Sequence, residues 1–213
     1  MIINDKRRIL EISAVILTGV GKFIFMDWLN LRLPFISVTI LFWIGYVFSR
    51  KKHNSKIIDY WGLNFKNFWR TFLQLLPIAI LLVFGFIYYG NTKGTNILNW
   101  NIVPILILYP LWGIIQQFIM IGILAKNLKD MRSFKIPAYL TIIITAITFS
   151  MVHYPFNLLI IGTFFLAIVY TLLYFKGKNL IVLGIFHGWL GAFFFYTLLS
   201  RDPFLEVFNI LTL

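Results

Sequence analysis

Seven times along this 213-residue chain an apolar run of about 20 residues recurs, at 10–29, 33–49, 70–89, 102–125, 136–153, 156–175 and 179–199. A run of that length, wound as an α-helix, matches the hydrocarbon thickness of a bilayer. Lipid offers no hydrogen bonds, so each crossing segment must satisfy its own backbone, which leaves helices as the form such runs can take. The predicted fold class is therefore all-α, a polytopic membrane helical bundle with about seven transmembrane helices. Composition agrees: 60% of residues are hydrophobic and the mean hydropathy is +0.87, well outside the range of soluble domains.

Only seven acidic residues face 19 Lys and Arg. The excess does not form a nucleic-acid patch, because the basic residues sit between the apolar runs. Lys6 to Arg8, Arg50 to Arg70, Lys126 to Lys135, and Lys176 with Lys178 occupy alternate connections and hold 15 of the 19. The positive-inside tendency then predicts a cytoplasmic N-terminus and, with an odd number of crossings, an external C-terminus. The 90–101 loop, GNTKGTNILNWN, suits the outer face. KRRILEISAVILTGV near the start has no small-residue cleavage site and reads as a retained first helix. Absence of cysteine removes disulfides, thiolate metal sites and thiol nucleophiles from the inventory. Residues 57–69, IIDYWGLNFKNFW, mix aromatics with Lys and Asn and read either as a segment lying in the membrane interface or as an aromatic belt.

Within the apolar runs a few polar side chains need a place to go. Gln116 and Gln117 stand side by side in LWGIIQQFIMIGIL, and His153 and His187 lie in or at the edge of later runs. An unpartnered amide taken out of water costs roughly 2–7 kcal/mol, so these groups call for a protein-lined polar cavity rather than lipid. Each histidine alone is as well explained as a structural hydrogen-bonding residue between helices. Asp5, Glu11, Asp27, Asp59, Asp130, Asp202 and Glu206 all fall near ends or in loops, so no deep carboxylate base is expected. Lys22 is expected to snorkel or face a cavity, and Pro110 to kink the fourth span. Gly113, Gly122, Gly184, Gly188 and Gly191 are expected to permit close helix approach. The serines have no nucleophile-elbow context, which disfavours a Ser/His/Asp triad.

The order of these elements resembles the CPBP family of intramembrane proteases, which includes the CAAX-processing proteases. That family shows EExxxR, FxxxH and HxxxN on successive helices. Here Gln116 and Gln117 occupy the glutamate pair, Phe149 and His153 follow in FSMVH with His153 36 residues after Gln117, and His187 follows 34 residues later in NLIVLGIFHGWLG. WGLNF at 61–65 resembles the family's LGL segment, so the resemblance covers roughly residues 60–198. Ile121 stands at the arginine position and Gly191 at the asparagine position.

The resemblance implies an integral membrane protein of a bacterial cell membrane. It would comprise N-terminal membrane helices over 1–56, a protease-like core over 57–199 and a tail over 200–213, all in one membrane domain. It implies an endopeptidase acting on a membrane-associated peptide or lipidated protein, with Gln116, Gln117, His153 and His187 as the catalytic set; if a histidine takes over as base, His187 is the expected one. Gln keeps the shape of Glu but cannot take a proton from water near neutral pH, so a non-catalytic relative that binds the same peptide is the alternative. A small transporter is a third reading, disfavoured by the lack of an inverted repeat or a charged midplane residue. The cofactor stays open: a divalent metal such as zinc has weak support, because two imidazoles and amide oxygens fall short of the usual three protein ligands. One tension is geometric. Gln117 and His187 each lie nine residues from basic flanks, about 13 Å, whereas His153 lies 18 residues from Lys135, about 27 Å.

Overall fold

A computed structural model describes residues 3–208, and among them the regular structure is helical throughout. Helix α1 (Asp5–Gly21) continues as a π-helical stretch, Lys22–Trp28, and α2 (Arg32–His53) returns. The short α3 (Ile57–Trp61) precedes α4 (Phe68–Lys93). Helix α5 (Ile102–Gln117) runs through a second π-helical stretch, Phe118–Ala125, into α6 (Lys126–Asp130). Then come α7 (Ala138–Met151), α8 (Asn157–Phe175), α9 (Leu180–Thr197) and the short α10 (Pro203–Phe208). Residues 209–213, the end of the expected tail and the C-terminus whose side was predicted, lie outside the described residues. Six helical stretches are long and apolar enough to cross a membrane. The seventh apolar segment, α7, has 14 helical residues, a length of about 21 Å, and falls short of a full crossing.

Helix α9 is the centre of the bundle. It buries 11 of its 18 residues, whereas α1 buries three of 17 and α2 two of 22, so the latter two are periphery. The contact of α5 with α9 is made backbone to backbone. A Cβ on Gly113 would sit 2.3 Å from the Gly184 carbonyl oxygen. One on Gly184 would meet Ile114 Cα at 2.4 Å, and one on Gly188 would meet the Tyr109 carbonyl oxygen at 2.5 Å. These three glycines permit close approach as expected. Gly122 is tight only against the Phe118 and Leu180 side chains, and Gly191 has nothing within 4 Å, because it opens onto a cavity instead of a helix. Pro110, in the same seam, has no N–H for the Leu106 carbonyl one turn earlier. The Trp189 indole N–H supplies that bond at 3.0 Å, so α9 repairs the ladder that the proline interrupts.

At the basic end the first helix is pinned by a polar cluster. Arg8 and Glu11 are buried, at 5% and 3% exposure. Arg8 donates to Tyr60 Oη at 2.6 Å and to Asn127 Oδ1 at 3.0 Å, while Glu11 accepts from Asn127 Nδ2 at 2.6 Å and from the Tyr46 hydroxyl at 2.5 Å. Burial pushes the Tyr60 hydroxyl above its usual range against the pull of Arg8, and its hydrogen bond to Asp130 adds to the rise. Glu11 lies near a span end, as expected from its position, but it is an enclosed carboxylate; its partners come from α2 and α6, 35 and 116 residues away, and no local pattern marks them.

The 57–69 segment divides. Ile57 and Trp61 are fully buried, with Trp61 packed against Phe118 and Tyr46, while Phe65 and Trp69 project outward at 77% and 69% exposure. Only its second half therefore has the character of an interfacial segment; the first half is drawn inward by the aromatic cluster. Asn179, which caps α9 by accepting from the Val182 N–H, also donates to the Asn64 and Lys66 carbonyls and ties this segment to the start of α9. At the opposite end the 90–101 loop closes on α9, with the Ile97 N–H bonded to the Tyr196 carbonyl and Thr95 Oγ1 to the Thr197 carbonyl.

The seam generates a prediction. Gly113→Ala or Gly188→Ala should lower the melting temperature of the purified protein, by an amount equivalent to roughly 1–3 kcal/mol of overpacking, whereas Gly191→Ala should leave it unchanged. Equal effects at Gly188 and Gly191 would show that the seam is not closed by the backbones.

Candidate functional site

Adjacent helix residues point about 100° apart, and the structure divides the two glutamines between different surroundings. Gln116 lines the large cavity, while Gln117 does not and is buried at 1% exposure. The Gln117 amide nitrogen has no hydrogen-bond partner among the described residues. Gln116 Oε1 lies 2.9 Å from His187 Nε2. A carbonyl oxygen only accepts, so Nε2 carries the proton and donates, and Nδ1 of His187 is left as a buried nitrogen without a partner.

His153 lies in the turn after α7 and folds back over it. Its Nδ1 donates to the Phe149 carbonyl at 2.8 Å, which fixes the proton there and leaves Nε2 as the lone-pair nitrogen. Both imidazoles pack on the same ring, Phe149, with centroid separations of 5.1 Å for His153 and 5.3 Å for His187. Two features narrow the depth mismatch: α7 starts only at Ala138, past Lys135, and His153 folds back to Phe149, 11 residues from Ala138 or about 17 Å along the helix. Helical side chains lean toward the N-terminal turn, so His153 reaches back to the level of Phe149, and Phe149 is the residue that stands beside His187.

Gln116, His153 and His187 share a cavity of about 960 Å³, a size suited to a sizeable ligand. Its walls are largely apolar, drawn from α4, α8 and α9. Ile78 of α4 and Phe165 and Val169 of α8 line it while being half-exposed or more, so it opens sideways between these two helices. At the end away from the basic face it carries ion pairs. Lys22 meets Asp27 at 2.6 Å, Glu206 accepts from Arg32 at 2.9 Å, and Arg201 forks onto the same carboxylate with two contacts of 2.6 Å. Lys22 thus faces the cavity, one of its two expected positions. Arg32, Arg201 and Glu206 were not anticipated as lining residues. Arg32 begins α2, Arg201 lies in the turn between α9 and α10, and Glu206 lies within α10; Arg32 is 174 residues from Glu206, so no local pattern joins it to the other two. Ile121, at the arginine position of the resemblance, is buried at 1% exposure, and Gly191 lines the cavity with open space before it.

The donor set does not fit a divalent metal. Among the described residues no three His, Cys, Asp or Glu side chains gather into a ligand group. Of the two imidazoles at the cavity, His187 has its Nε2 engaged by Gln116. These side chains offer hydrogen bonding by a neutral amide and a lone pair on His153 Nε2.

Fold and site together define a polytopic helical membrane protein with a polar cluster enclosed in an intramembrane cavity. Residues 98–193 match the family model described as Type II CAAX prenyl endopeptidase Rce1-like, which is consistent with a CPBP family protease. The match spans slightly less than half of the chain and includes Gln116, Gln117, Phe149, His153, His187 and Gly191. No curated protein and no solved structure matches the chain.

The division of the glutamine pair is open to test. Gln117→Leu should keep or raise thermal stability, because it removes a buried donor that has no partner, whose desolvation costs roughly 1–3 kcal/mol. A marked fall in melting temperature would reveal a hydrogen bond to that amide.

Proposed function

We propose that this protein is an intramembrane endopeptidase of the CAAX type, in which His153 acts as general base and Gln116 positions the scissile carbonyl. The observation that carries the reading is the Nε2 lone pair of His153, freed by the bond from Nδ1 to Phe149 on the wall of a cavity that opens between α4 and α8. A membrane-associated peptide or lipidated tail would enter sideways, its apolar portion against α4 and α8. His153 Nε2 takes a proton from water, and the oxygen attacks the peptide carbonyl. His187 holds Gln116 Oε1, so the Gln116 amide N–H groups are presented to the developing oxyanion. The proton then passes from His153 to the departing amine as the C–N bond breaks, giving a carboxylate and an amine. The basic end of the bundle faces the cytoplasm in this reading, as charge asymmetry favours.

An imidazole without a carboxylate partner is a weaker device than a glutamate-based one, so turnover is slow. His153→Ala should lower cleavage of a membrane peptide library by roughly 10²- to 10⁴-fold, read by mass spectrometry. Gln116→Glu should raise it, since a carboxylate accepting from His187 adds a base at the same position, whereas Gln117→Glu should not, because that side chain is off the cavity. A second reading, a non-catalytic module that binds the peptide, is favoured by the neutral Gln116 amide. It would replace the first if neither the unaltered chain nor Gln116→Glu releases product while both retain peptide.

A further inference from the structure

At the basic end of the bundle, away from the histidines, lies a second and polar pocket of about 270 Å³. Four lysines line it, Lys66, Lys126, Lys129 and Lys178, with Asp59 as the one carboxylate among its lining residues. Two of the lysines are neutralised: Lys66 pairs with Asp59 at 3.0 Å and Lys126 with Asp130 at 3.1 Å. The other two have no carboxylate within ion-pair distance among the described residues. Lys129 Nζ stands 3.9 Å from the centre of the Phe175 ring, and Lys178 donates to the Gln74 side chain.

The pocket is held open by the fold. Asn179, buried at 4% exposure, clamps the Asn64 and Lys66 carbonyls, and the Tyr174 hydroxyl donates to the Trp61 carbonyl at 3.1 Å. The 62–67 segment and the turn from α8 to α9 are thus fixed relative to one another, with two uncompensated cations at their junction. Beside the pocket, Phe65 and Trp69 point outward.

We infer that this pocket binds the phosphate of an anionic glycerophospholipid from the adjacent leaflet. The volume admits a phosphate and its glycerol but not acyl chains, which would run along the exposed Phe65 and Trp69 face. Compact ammonium groups suit a phosphodiester, and juxtamembrane lysines are attracted to anionic lipid. A soluble anion would use the lysines but would gain nothing from the aromatic flank.

The test uses the full chain in phosphatidylcholine nanodiscs with increasing phosphatidylglycerol, read by thermal stability and by lipid retention in native mass spectrometry. Phosphatidylglycerol should be retained and raise the melting temperature. The double variant Lys129→Gln with Lys178→Gln should weaken that retention roughly 10- to 30-fold. Lys129→Arg with Lys178→Arg should preserve it, which separates lost charge from misfolding. Lys51→Gln with Lys52→Gln removes the same charge from the exposed end of α2 and should have little effect. Equal losses in the two glutamine doubles, or no preference for phosphatidylglycerol over phosphatidylcholine, would overturn the site. Inorganic phosphate or glycerol 3-phosphate protecting as strongly as the lipid would overturn the lipid as its occupant.

Discussion

The backbone contact of α5 with α9 fixes the Gln116–His187 pair on the cavity wall. Gly113, Gly184 and Gly188 let the two helices meet without intervening side chains, and His187 and Gln116 are carried at the margins of that contact. With the helices so close, Gln116 and His187 satisfy each other across them, and Trp189 supplies the bond that Pro110 cannot make. Membrane helices gain little from burying apolar surface against one another, since lipid is equally apolar, so close packing and interhelical hydrogen bonds carry their association. A methyl group at Gly188 would therefore disturb both the bundle and the polar cluster it encloses.

Much of this was legible in the sequence because lipid imposes a length and a composition. Helix number and order follow from the apolar runs, and the alternation of basic connections follows from charge. The exceptions have local causes: α7 is short because its apolar run ends in the turn that holds His153, and Trp61 leaves the interface for an aromatic cluster with Phe118. Gln116, His153 and His187 could be singled out as polar groups stranded in apolar runs. Which of the two glutamines faces the cavity could not, since that depends on the rotation of α5 about its axis. Nor could the enclosure of Glu11 or the ion pair of Glu206 with Arg32, whose partners lie on elements remote in the chain.

The polar cluster is neutral at Gln116, which meets His187 by hydrogen bonding. A glutamate at position 116 would accept from His187 and also draw a proton from water; the glutamine accepts in the same place and leaves its amide hydrogens free. The ring of His153 is oriented by the Phe149 backbone carbonyl, which leaves Nε2 as its lone-pair nitrogen. His187, the base expected from the sequence, has its Nε2 donating to Gln116 and its Nδ1 enclosed.

The proposed chemistry therefore depends on the tautomers of the two histidines. The chain has three histidines, so ¹⁵N-histidine labelling with solid-state NMR in bilayers, assigned by His53→Gln, His153→Gln and His187→Gln, resolves each ring. The proposed chemistry predicts neutral rings at near-neutral pH, with His153 protonated on Nδ1 and His187 on Nε2. A His153 ring carrying its proton on Nε2 would leave no lone pair for water at the cavity wall and would contradict it.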